Sequence, residues 1–280
     1  MAAVKEAKRS LLEYGVTVNR IVGQWCMQSD GVLGMKELHN VLITVEDPFS
    51  IWHNKVNQGL LADTMDILLG LNPGYVHRFW KFYRKWLTSR GEYPYTYGER
   101  IFDESINQWN ECADKLRHDP STRQANIVIS RPKDLRSEYT PCSVAMQFYT
   151  DDRQRLNASY EMRSNDIAIG GLPRNIFIGC QLLTQMSLCT GIPLGSYHHF
   201  DVNLHFYPNR PEDLEIIDSM ERADCPFGSP ALLDESQKER ARRFLKDSFS
   251  DSSAKDISLY GPFDTYWMRW LSAISGGKPE

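Results

Sequence analysis

The segment that most constrains the fold is the apolar run IFIGCQLLTQMSLC, which spans residues 176–189. Its length and pattern predict a helix over residues 175–189. A helix that is hydrophobic on all sides is buried inside a protein rather than lying on its surface. Strand-like segments precede and follow this helix, so the chain is predicted to combine helices with a sheet.

The remaining pattern predicts a single α+β domain over residues 1–280, with no internal repeat and no low-complexity linker. The strand over residues 143–150 is bounded by Pro141 and Asp151 and alternates only partly, as a strand covered on both faces does. The predicted helices cover residues 3–23, 61–70, 75–88, 101–116, 175–189 and 234–247. The predicted strands cover residues 126–131, 143–150, 156–162 and 199–207, and an aromatic tail follows residue 260.

Composition limits the possible functions. The chain is 41% apolar and 24% charged, which is typical of a soluble globular protein, and no run approaches the ~20 apolar residues of a membrane span. The net charge of −4 argues against general nucleic-acid binding, which needs a clustered basic surface. A free nucleotide needs only a few local cations. The N-terminus lacks a signal-peptide core, so a cytoplasmic location is expected.

One of the six cysteines stands out. No C-x-x-C pair occurs, and no spacing with the seven histidines suggests a metal site, so most of the thiols are expected to be free. Cys180 and Cys189 belong to the apolar helix and are expected to be buried structural residues. Cys142 instead follows Pro141 at the start of a predicted strand, between polar neighbours, which makes it the candidate nucleophile.

Several short motifs resemble, in order and spacing, those of the thymidylate synthase superfamily. The resemblance runs from about residue 93 to residue 207. It comprises YPYTYGER at 93–100, DPSTRQ at 119–124, Pro141-Cys142 with Gln147, MRSND at 162–166, GLPRN at 171–175 and NLHFY at 203–207. A single motif of this kind is weak, whereas the shared order is not.

The resemblance implies a fold, a reaction and a set of partners. The implied fold is a single thymidylate synthase-like domain in which helices pack a mixed sheet, and two copies form a back-to-back homodimer. The implied reaction transfers a one-carbon unit from 5,10-methylenetetrahydrofolate to C5 of a pyrimidine nucleoside monophosphate. C5 becomes nucleophilic only after a nucleophile adds to C6, and a thiolate does this well. Arg163 is expected to favour the Cys142 thiolate and to bind the phosphate.

The family pattern assigns further roles to matching positions. Ser164 is expected to bind the phosphate with Arg163, joined by Arg123 from the partner subunit. Asn175 is expected to read the O4/N3 edge of the base, and His205 and Tyr207 to contact the sugar 3′-hydroxyl. Gln147 is a further expected substrate contact. The expected folate contacts are Asp166, which hydrogen-bonds the pterin, Gly171 and Trp86. No metal is expected.

The chain departs from the family pattern at several positions. Gln124 replaces the second of two consecutive arginines, and Arg20 or Lys36 would have to replace a missing N-terminal phosphate loop. The family's acid/base glutamate is absent. Asp63 is taken as the catalytic candidate, Asp66 is the other carboxylate nearby, and an alternative alignment places Phe79 there. An extra residue at Gly170-Gly171 shifts the spacing to Asn175.

Hydroxymethylation is predicted rather than methylation. The motifs Ser130-Arg131-Pro132, MRSND and NLHFY resemble the bacteriophage pyrimidine hydroxymethylases more than thymidylate synthases. The sequence ends in GGKPE, which is expected to be a poor lid against water. Water reaching the C5-methylene intermediate gives a hydroxymethyl group, whereas hydride gives a methyl group.

The base is predicted to be uracil, because an amide at Asn175 can both accept from N3 and donate to O4, whereas the deoxycytidylate hydroxymethylases carry Asp there. The predicted product is therefore 5-hydroxymethyl-dUMP, which could supply DNA modification. A CMP or dCMP hydroxymethylase remains an alternative, with Lys133 available for a ribose contact, as does an atypical thymidylate synthase. A non-enzymatic nucleotide- or RNA-binding module is a further alternative, favoured by the missing glutamate and arginine.

Overall fold

Seven strands form one mixed sheet in the computed structural model, which describes residues 2–22, 31–102, 105–137, 140–168, 170–250 and 256–276. The strands are β1 (Val16–Val22), β2 (Gly31–Val45), β3 (Asn126–Val128), β4 (Ser143–Thr150), β5 (Leu156–Met162), β6 (Asn165–Asp166) and β7 (Leu194–Phe206). The α-helices are α1 (Ala2–Tyr14), α2 (Gln58–Leu68), α3 (Val76–Phe79), α4 (Tyr97–Ile101), α5 (Gln108–His118), α6 (Leu172–Thr190), α7 (Glu212–Asp218), α8 (Glu235–Ser250) and α9 (Thr265–Gly276). Short 3₁₀ helices cover Pro48–Ile51, Lys81–Trp86, Pro132–Arg136 and Ile257–Tyr260.

The strand order places the predicted site motifs side by side. The sheet runs β1-β2-β7-β5-β4-β3, and β6 pairs with the end of β7. Neighbouring strands are antiparallel, including β2 and β7, except that β7 is parallel to β5 and to β6. Parallel pairing requires a crossover, and α6 supplies it between β6 and β7. The start of β4, the end of β5, β6 and the end of β7 therefore lie at one end of the sheet.

Helix α6 is the central element of the core. Every residue from Leu172 to Ser187 is buried, as the all-round apolar pattern predicts. The helix lies very close to β7, because a Cβ added at Gly179 would come within 2.3 Å of the Tyr197 hydroxyl. Only glycine fits at this crossing. The first turn of α6 is thereby held at the end of the sheet where the motifs meet.

The aromatic tail predicted after residue 260 forms helix α9. Trp267 and Trp270 of this helix are completely buried, and Trp52 packs edge-on against Trp270 with ring centroids 5.6 Å apart. The Trp270 indole also donates to the Leu61 carbonyl of α2 across 3.3 Å. The C-terminal helix thus braces α2, which carries the two candidate acid/base carboxylates.

The predicted α+β fold with a mixed sheet packed by helices is confirmed, and several element boundaries are corrected. The helix predicted over 3–23 ends at Tyr14, and residues 16–22 form β1 instead. Strand β2 was not predicted. The helix predicted over 75–88 is only α3 followed by a 3₁₀ helix, and the one over 101–116 is split into α4 and α5. Strands β4 and β5 have the predicted bounds, and the other predicted elements are present with shifted ends.

Two further structural features bear on function. In the part of the chain that the structure describes, no helix combines the length and hydrophobicity needed to span a bilayer. Across the same residues, no three or more His, Cys, Asp or Glu side chains are grouped so that they could hold a metal ion. Cys112, Cys142, Cys180, Cys189 and Cys225 are free thiols, and Cys26 lies outside the described residues.

Candidate active site

A cavity of about 850 Å³ opens at the end of the sheet where the motifs meet. Its lining includes most of the site residues predicted from the sequence: Asp63, Trp86, Cys142, Arg163, Ser164, Asp166, Gly171, Asn175, His205 and Tyr207. The volume lies within the range of sites that bury small organic ligands. Residues that are more than a hundred positions apart in the sequence therefore share one concave surface.

Cys142 lies immediately before β4 and is tied to the end of β5. The Arg163 amide donates to the Cys142 carbonyl across 2.8 Å, and the Arg163 side chain donates to the carbonyls of Pro141 and Thr140, each across 2.8 Å. Burial raises the pKa of the Cys142 thiol, and the guanidinium groups of Arg163 and Arg174 only partly offset this. Arg163 thus favours the thiolate in the expected direction, but its effect on the Cys142 pKa is smaller than that of burial.

A cluster of hydroxyl groups lies next to Cys142. Tyr160 donates to the Ser143 hydroxyl across 2.6 Å, and Tyr97 also hydrogen-bonds Ser143. Burial is the main cause that raises the pKa of Tyr97, and the nearby Cys142 thiol raises it further. Tyr97 is therefore a neutral phenol that can donate a hydrogen bond within the cavity. The sequence motif YPYTYGER contains this residue, but no role was predicted for it.

His205 and Tyr207 lie together at the end of β7. The His205 ring is buried, and burial lowers its pKa, so the imidazole is neutral at pH 7. Its Nδ1 lies 3.2 Å from Asn203 Oδ1, and an Nδ1–H that donates there leaves Nε2 as an acceptor. The Tyr207 ring packs edge-on against the imidazole with centroids 5.1 Å apart. A neutral imidazole acceptor beside a phenol suits a sugar hydroxyl.

One wall of the cavity is aromatic. Trp80, Tyr83, Trp86, Tyr93 and Tyr95 all line it. Tyr83 is central to this wall, because it stacks on Trp80 with centroids 6.0 Å apart and packs edge-on against Trp86 at 5.2 Å. Such a surface can hold a flat heterocycle such as a pterin.

Asp166 and Gly171 are five positions apart in the sequence and are in contact in the cavity wall. A Cβ at Gly171 would come within 2.0 Å of the Asp166 carbonyl, so glycine allows α6 to start directly beside β6. The Asp166 carboxylate accepts from the Ala168 amide and forms an ion pair with Arg210. Arg210 also pairs with Asp213 at 3.3 Å. A pterin that uses Asp166 must therefore share this carboxylate with Arg210.

The two candidate acid/base carboxylates of α2 are in different states. Asp63 is buried in an ion pair with Arg174 of α6. Asp66 accepts from the Val76 amide across 2.8 Å, and its other oxygen has no hydrogen-bond partner within the described residues. Burial raises the pKa of Asp66 to about 8, and Asp63 adds to the increase. Asp66 is therefore a protonated acid at neutral pH, whereas Asp63 is ion-paired with Arg174.

Several other predicted residues lie away from the cavity. Gln147 is exposed on β4 and donates to the carbonyl of the exposed Arg123 across 3.1 Å, and neither lines the cavity. Lys133 is exposed and is likewise absent from the lining. Lys36 donates to the Leu12 carbonyl. The side chain of Arg20 and the C-terminal residues 277–280 lie outside the described residues.

A family model for thymidylate synthase matches residues 60–261, which is most of the chain and includes all of the cavity motifs. The chain belongs to the thymidylate synthase family. Members of this family are folate-dependent one-carbon transferases, and this chain has the thymidylate synthase-like fold.

Similar proteins include a putative thymidylate synthase from Methanococcoides burtonii, 25% identical over 65% of this chain and 79% of the relative. A thymidylate synthase from Bacillus mojavensis is 27% identical over 51% of this chain, and the alignment covers only 53% of that enzyme. Among solved structures, the thermostable thymidylate synthase A from Bacillus subtilis matches with a TM-score of 0.63. That match covers 80% of this chain and 85% of the enzyme at 18% identity, and it shows the shared fold.

Sequence reasoning missed three charged or polar residues of this thymidylate synthase-like site. Arg174, Asn165 and Arg210 all line the cavity, and the two arginines pair with Asp63 and Asp166, which were predicted as site residues. Arg174 could have been noticed within GLPRN as a charge in an otherwise apolar helix. A charge at such a position must be paired, because an isolated buried ion is very costly.

Proposed function

We propose that this protein is a pyrimidine nucleotide hydroxymethyltransferase that converts dUMP to 5-hydroxymethyl-dUMP. The observation that carries this proposal is the convergence of Cys142, Arg163, Asn175 and His205 on one cavity beside an aromatic wall. These groups match the parts of the substrate: a nucleophile for C6, a cation for the phosphate, an amide for the base and an acceptor for the sugar.

The proposed chemistry begins at Cys142. Its thiolate adds to C6, and the electron pair of the C5–C6 double bond moves toward O4, which makes C5 nucleophilic. Bound 5,10-methylenetetrahydrofolate would supply a carbon at the formaldehyde oxidation level for C5 to attack. Loss of the C5 proton would then restore the ring enolate. Collapse of the enolate would break the carbon–nitrogen bond to the folate, release tetrahydrofolate and leave an exocyclic methylene at C5. Because burial raises the pKa of Cys142, we infer that nucleotide binding must help to create the thiolate, with Tyr97 and Arg174 as neighbouring donors to the developing charge.

The polar lining next to Cys142 supports water rather than hydride as the final reactant. Asp63 and Arg174 form a charged pair in the wall of the cavity, and Asn165 and Asn175 continue that polar surface. Such groups can bind and orient a water molecule. Addition of that water to the exocyclic carbon and expulsion of the Cys142 thiolate from C6 would give the hydroxymethyl product. Asp63 is our candidate base for this water.

The aromatic side of the cavity suits the folate cosubstrate, whereas on the other side Asp166 already has an ion-pair partner. The aromatic wall with Trp86 suits the pterin, and Gly171 lines the cavity in contact with Asp166. The Asp166 carboxylate is already paired with Arg210, so we infer that Arg210 and the pterin share it. The names of the similar proteins favour a second candidate, an atypical thymidylate synthase.

One assay tests the proposal. The protein is incubated with 5,10-methylenetetrahydrofolate and each of dUMP, dCMP, UMP and CMP, and the products are identified by mass. We expect 5-hydroxymethyl-dUMP without dihydrofolate, whose formation would raise the near-ultraviolet absorbance. Thymidylate with a stoichiometric absorbance rise would replace the proposal with a thymidylate synthase. A hydroxymethylated cytosine nucleotide would correct the base. Binding with no product from any nucleotide would favour the non-enzymatic binding module.

A homodimer remains part of the proposal. The face of the sheet opposite α6 carries exposed apolar side chains on three strands: Leu42 on β2, Val128 on β3 and Val202 on β7. The pairing register puts these residues on one face together with Gln147, because Leu42 lies opposite Phe200, and Val128 lies opposite Ala145. A second copy packed against this face would cover them and would bring its Arg123 near the interface.

A further inference from the structure

A chain of hydrogen bonds begins at the buried pair in the cavity wall. Arg174 uses its Nε to bind Asp63, and its terminal nitrogen donates to Asn175 Oδ1 across 2.8 Å. Asn175 Nδ2 in turn donates to Asn165 Oδ1 across 2.9 Å. All four side chains are at least nine-tenths buried and all line the cavity. Both ends of the Asn175 amide are therefore held before any substrate binds.

The chemistry of arginine fixes the orientation of each amide in this series of hydrogen bonds. A guanidinium can only donate, so the atom of Asn175 that faces Arg174 has to be its oxygen. The Asn175 nitrogen then has to face Asn165, and Asn165 has to present its oxygen to it. Turning either amide over would put two donors face to face at hydrogen-bond distance. Such a mismatch between buried groups is costly.

The far end of this series of hydrogen bonds, at His199 and Asp201, favours the opposite orientation of both amides. Asn165 Nδ2 lies 3.0 Å from His199 Nε2, which must accept, so its other nitrogen donates to the Tyr197 hydroxyl across 2.8 Å. The same Nε2 lies 3.2 Å from a carboxylate oxygen of Asp201, which is completely buried and has no hydrogen-bond partner within the described residues. A proton on Nε2 would satisfy Asp201, but it would require both amides to turn over. Arg174 prevents this.

The direction of the Asn175 amide matters because an amide is ambiguous. Turned one way, its free lone pair and free hydrogen match N3–H and O4 of uracil. Turned the other way, they match N3 and the N4 amino group of cytosine. An unrestrained Asn can satisfy both bases, so it discriminates poorly.

We propose that Arg174 is a positioning residue that sets base specificity by holding the Asn175 amide in one orientation. This inference rests on the proposed function, in which Asn175 contacts the base and the orientation is the one that suits uracil. The simpler role for Arg174 is to neutralise Asp63. That role would affect both nucleotides equally, whereas an orientation lock affects their ratio.

The test is a comparison of dissociation constants for dUMP and dCMP, measured by calorimetry in the wild type and in Arg174→Met. For the wild type we expect dCMP to bind at least about tenfold more weakly than dUMP, the usual discrimination from one mismatched buried group. In Arg174→Met the ratio of the dCMP to the dUMP dissociation constant should fall to within about threefold or reverse. Without the guanidinium, Asp201 and His199 then set the orientation of both amides. Asp63→Asn/Arg174→Met also removes the carboxylate that Arg174 neutralises, and it should give the same reduced ratio if the single variant folds poorly.

The matched control is Arg100→Met/Asp134→Asn. This second buried pair, joined at 2.5 Å, makes no contact with Asn175 and is absent from the cavity lining. It should keep the wild-type ratio even if both affinities decrease. An unchanged ratio in both Arg174 variants would overturn the lock. A wild type that binds neither nucleotide would overturn the proposed function and the lock with it, and a wild type that prefers dCMP would overturn only the uracil assignment.

Discussion

At the residue scale, Cys142 lies where its chemistry depends on its neighbours. Its pKa is raised by burial, with Arg163 and Arg174 opposing that effect. Arg163 donates to two backbone carbonyls and pairs with no carboxylate among the described residues, so its charge is available to an anion such as a phosphate. The site therefore combines a protonated thiol with an available cation, which suits the proposed reaction, in which the nucleotide binds before the thiolate forms.

Asn175→Asp is predicted to shift the preference from uracil toward cytosine nucleotides. A carboxylate at this position can still accept from Arg174, but it can donate neither to Asn165 nor to O4 of uracil. It can accept from the N4 amino group of cytosine. We expect the ratio of kcat/KM for dUMP over dCMP to fall by about ten- to a hundred-fold, since a mismatched buried group costs ~1–3 kcal/mol.

The control for that change is Gln147→Glu, which alters an amide in the same way on the exposed face of β4, away from the cavity. The Gln147→Glu variant should keep the wild-type ratio of kcat/KM for dUMP over dCMP. If Asn175→Asp keeps the wild-type selectivity, Asn175 does not read the base.

At the element scale, α2 presents two acidic side chains one turn apart in different surroundings. Asp63 is held by Arg174 of α6, and Asp66 binds the start of α3 through the Val76 amide. Asp66 also packs against Gly74, where a Cβ would lie 2.1 Å from its carboxyl carbon. We infer that Asp63 belongs to the chemistry and that Asp66 fixes the loop that leads into the aromatic wall.

Asp66→Asn is predicted to change how stability depends on pH. The folded-state pKa of Asp66 is raised to about 8 by burial, well above its unfolded value. The folded state therefore retains a proton that the unfolded state loses, so this contribution to stability is full below about pH 4 and is lost as the pH rises through about 8. The maximal slope is about 1.4 kcal/mol per pH unit.

An asparagine at position 66 cannot ionise, and its side-chain oxygen can still accept from the Val76 amide. Urea unfolding of both proteins between pH 5 and 9 should show the variant becoming progressively more stable relative to the wild type as the pH rises. A difference in unfolding free energy that does not vary with pH would show that Asp66 is already ionised in the folded protein.

Elements with a strong local pattern could be predicted from the sequence, and those set by long-range contacts could not. Helix α6 and strands β4 and β5 were found from their apolar patterns. The segment 16–22 was read as a continuation of α1, although Gly15 ends that helix, and a Cβ there would lie 2.2 Å from the Leu11 carbonyl. Its β-branched residues are typical of a strand.

The site was predictable where a motif is contiguous in sequence and was missed where two distant residues combine. Cys142, Asn175 and His205 were placed in the cavity by the order of their motifs. The pairs Asp63–Arg174 and Asp166–Arg210 join residues 111 and 44 positions apart, and no local pattern reports such a partner. Sequence reasoning therefore predicted residues that line the cavity but not the arginines that pair with its carboxylates.

At the scale of the whole molecule, the sheet separates two surfaces with different roles. The end of the sheet near the first turn of α6 holds the cavity, and the face opposite α6 exposes apolar side chains together with Gln147. Because the cavity is built from α2, α6 and the ends of β5 and β7, it depends on the packing of the entire core. The proposed homodimer would use the remaining face.

The central claim is that Cys142 forms a covalent bond to C6 of a pyrimidine nucleotide. The most direct test is the intact mass of the protein after incubation with 5-fluoro-dUMP and 5,10-methylenetetrahydrofolate, because fluorine at C5 cannot leave as a proton does and the adduct is trapped. We predict a mass increase equal to the nucleotide plus the folate in the wild type and in Cys225→Ala, and none in Cys142→Ala. An unmodified wild type, or an adduct that persists in Cys142→Ala, would contradict the account.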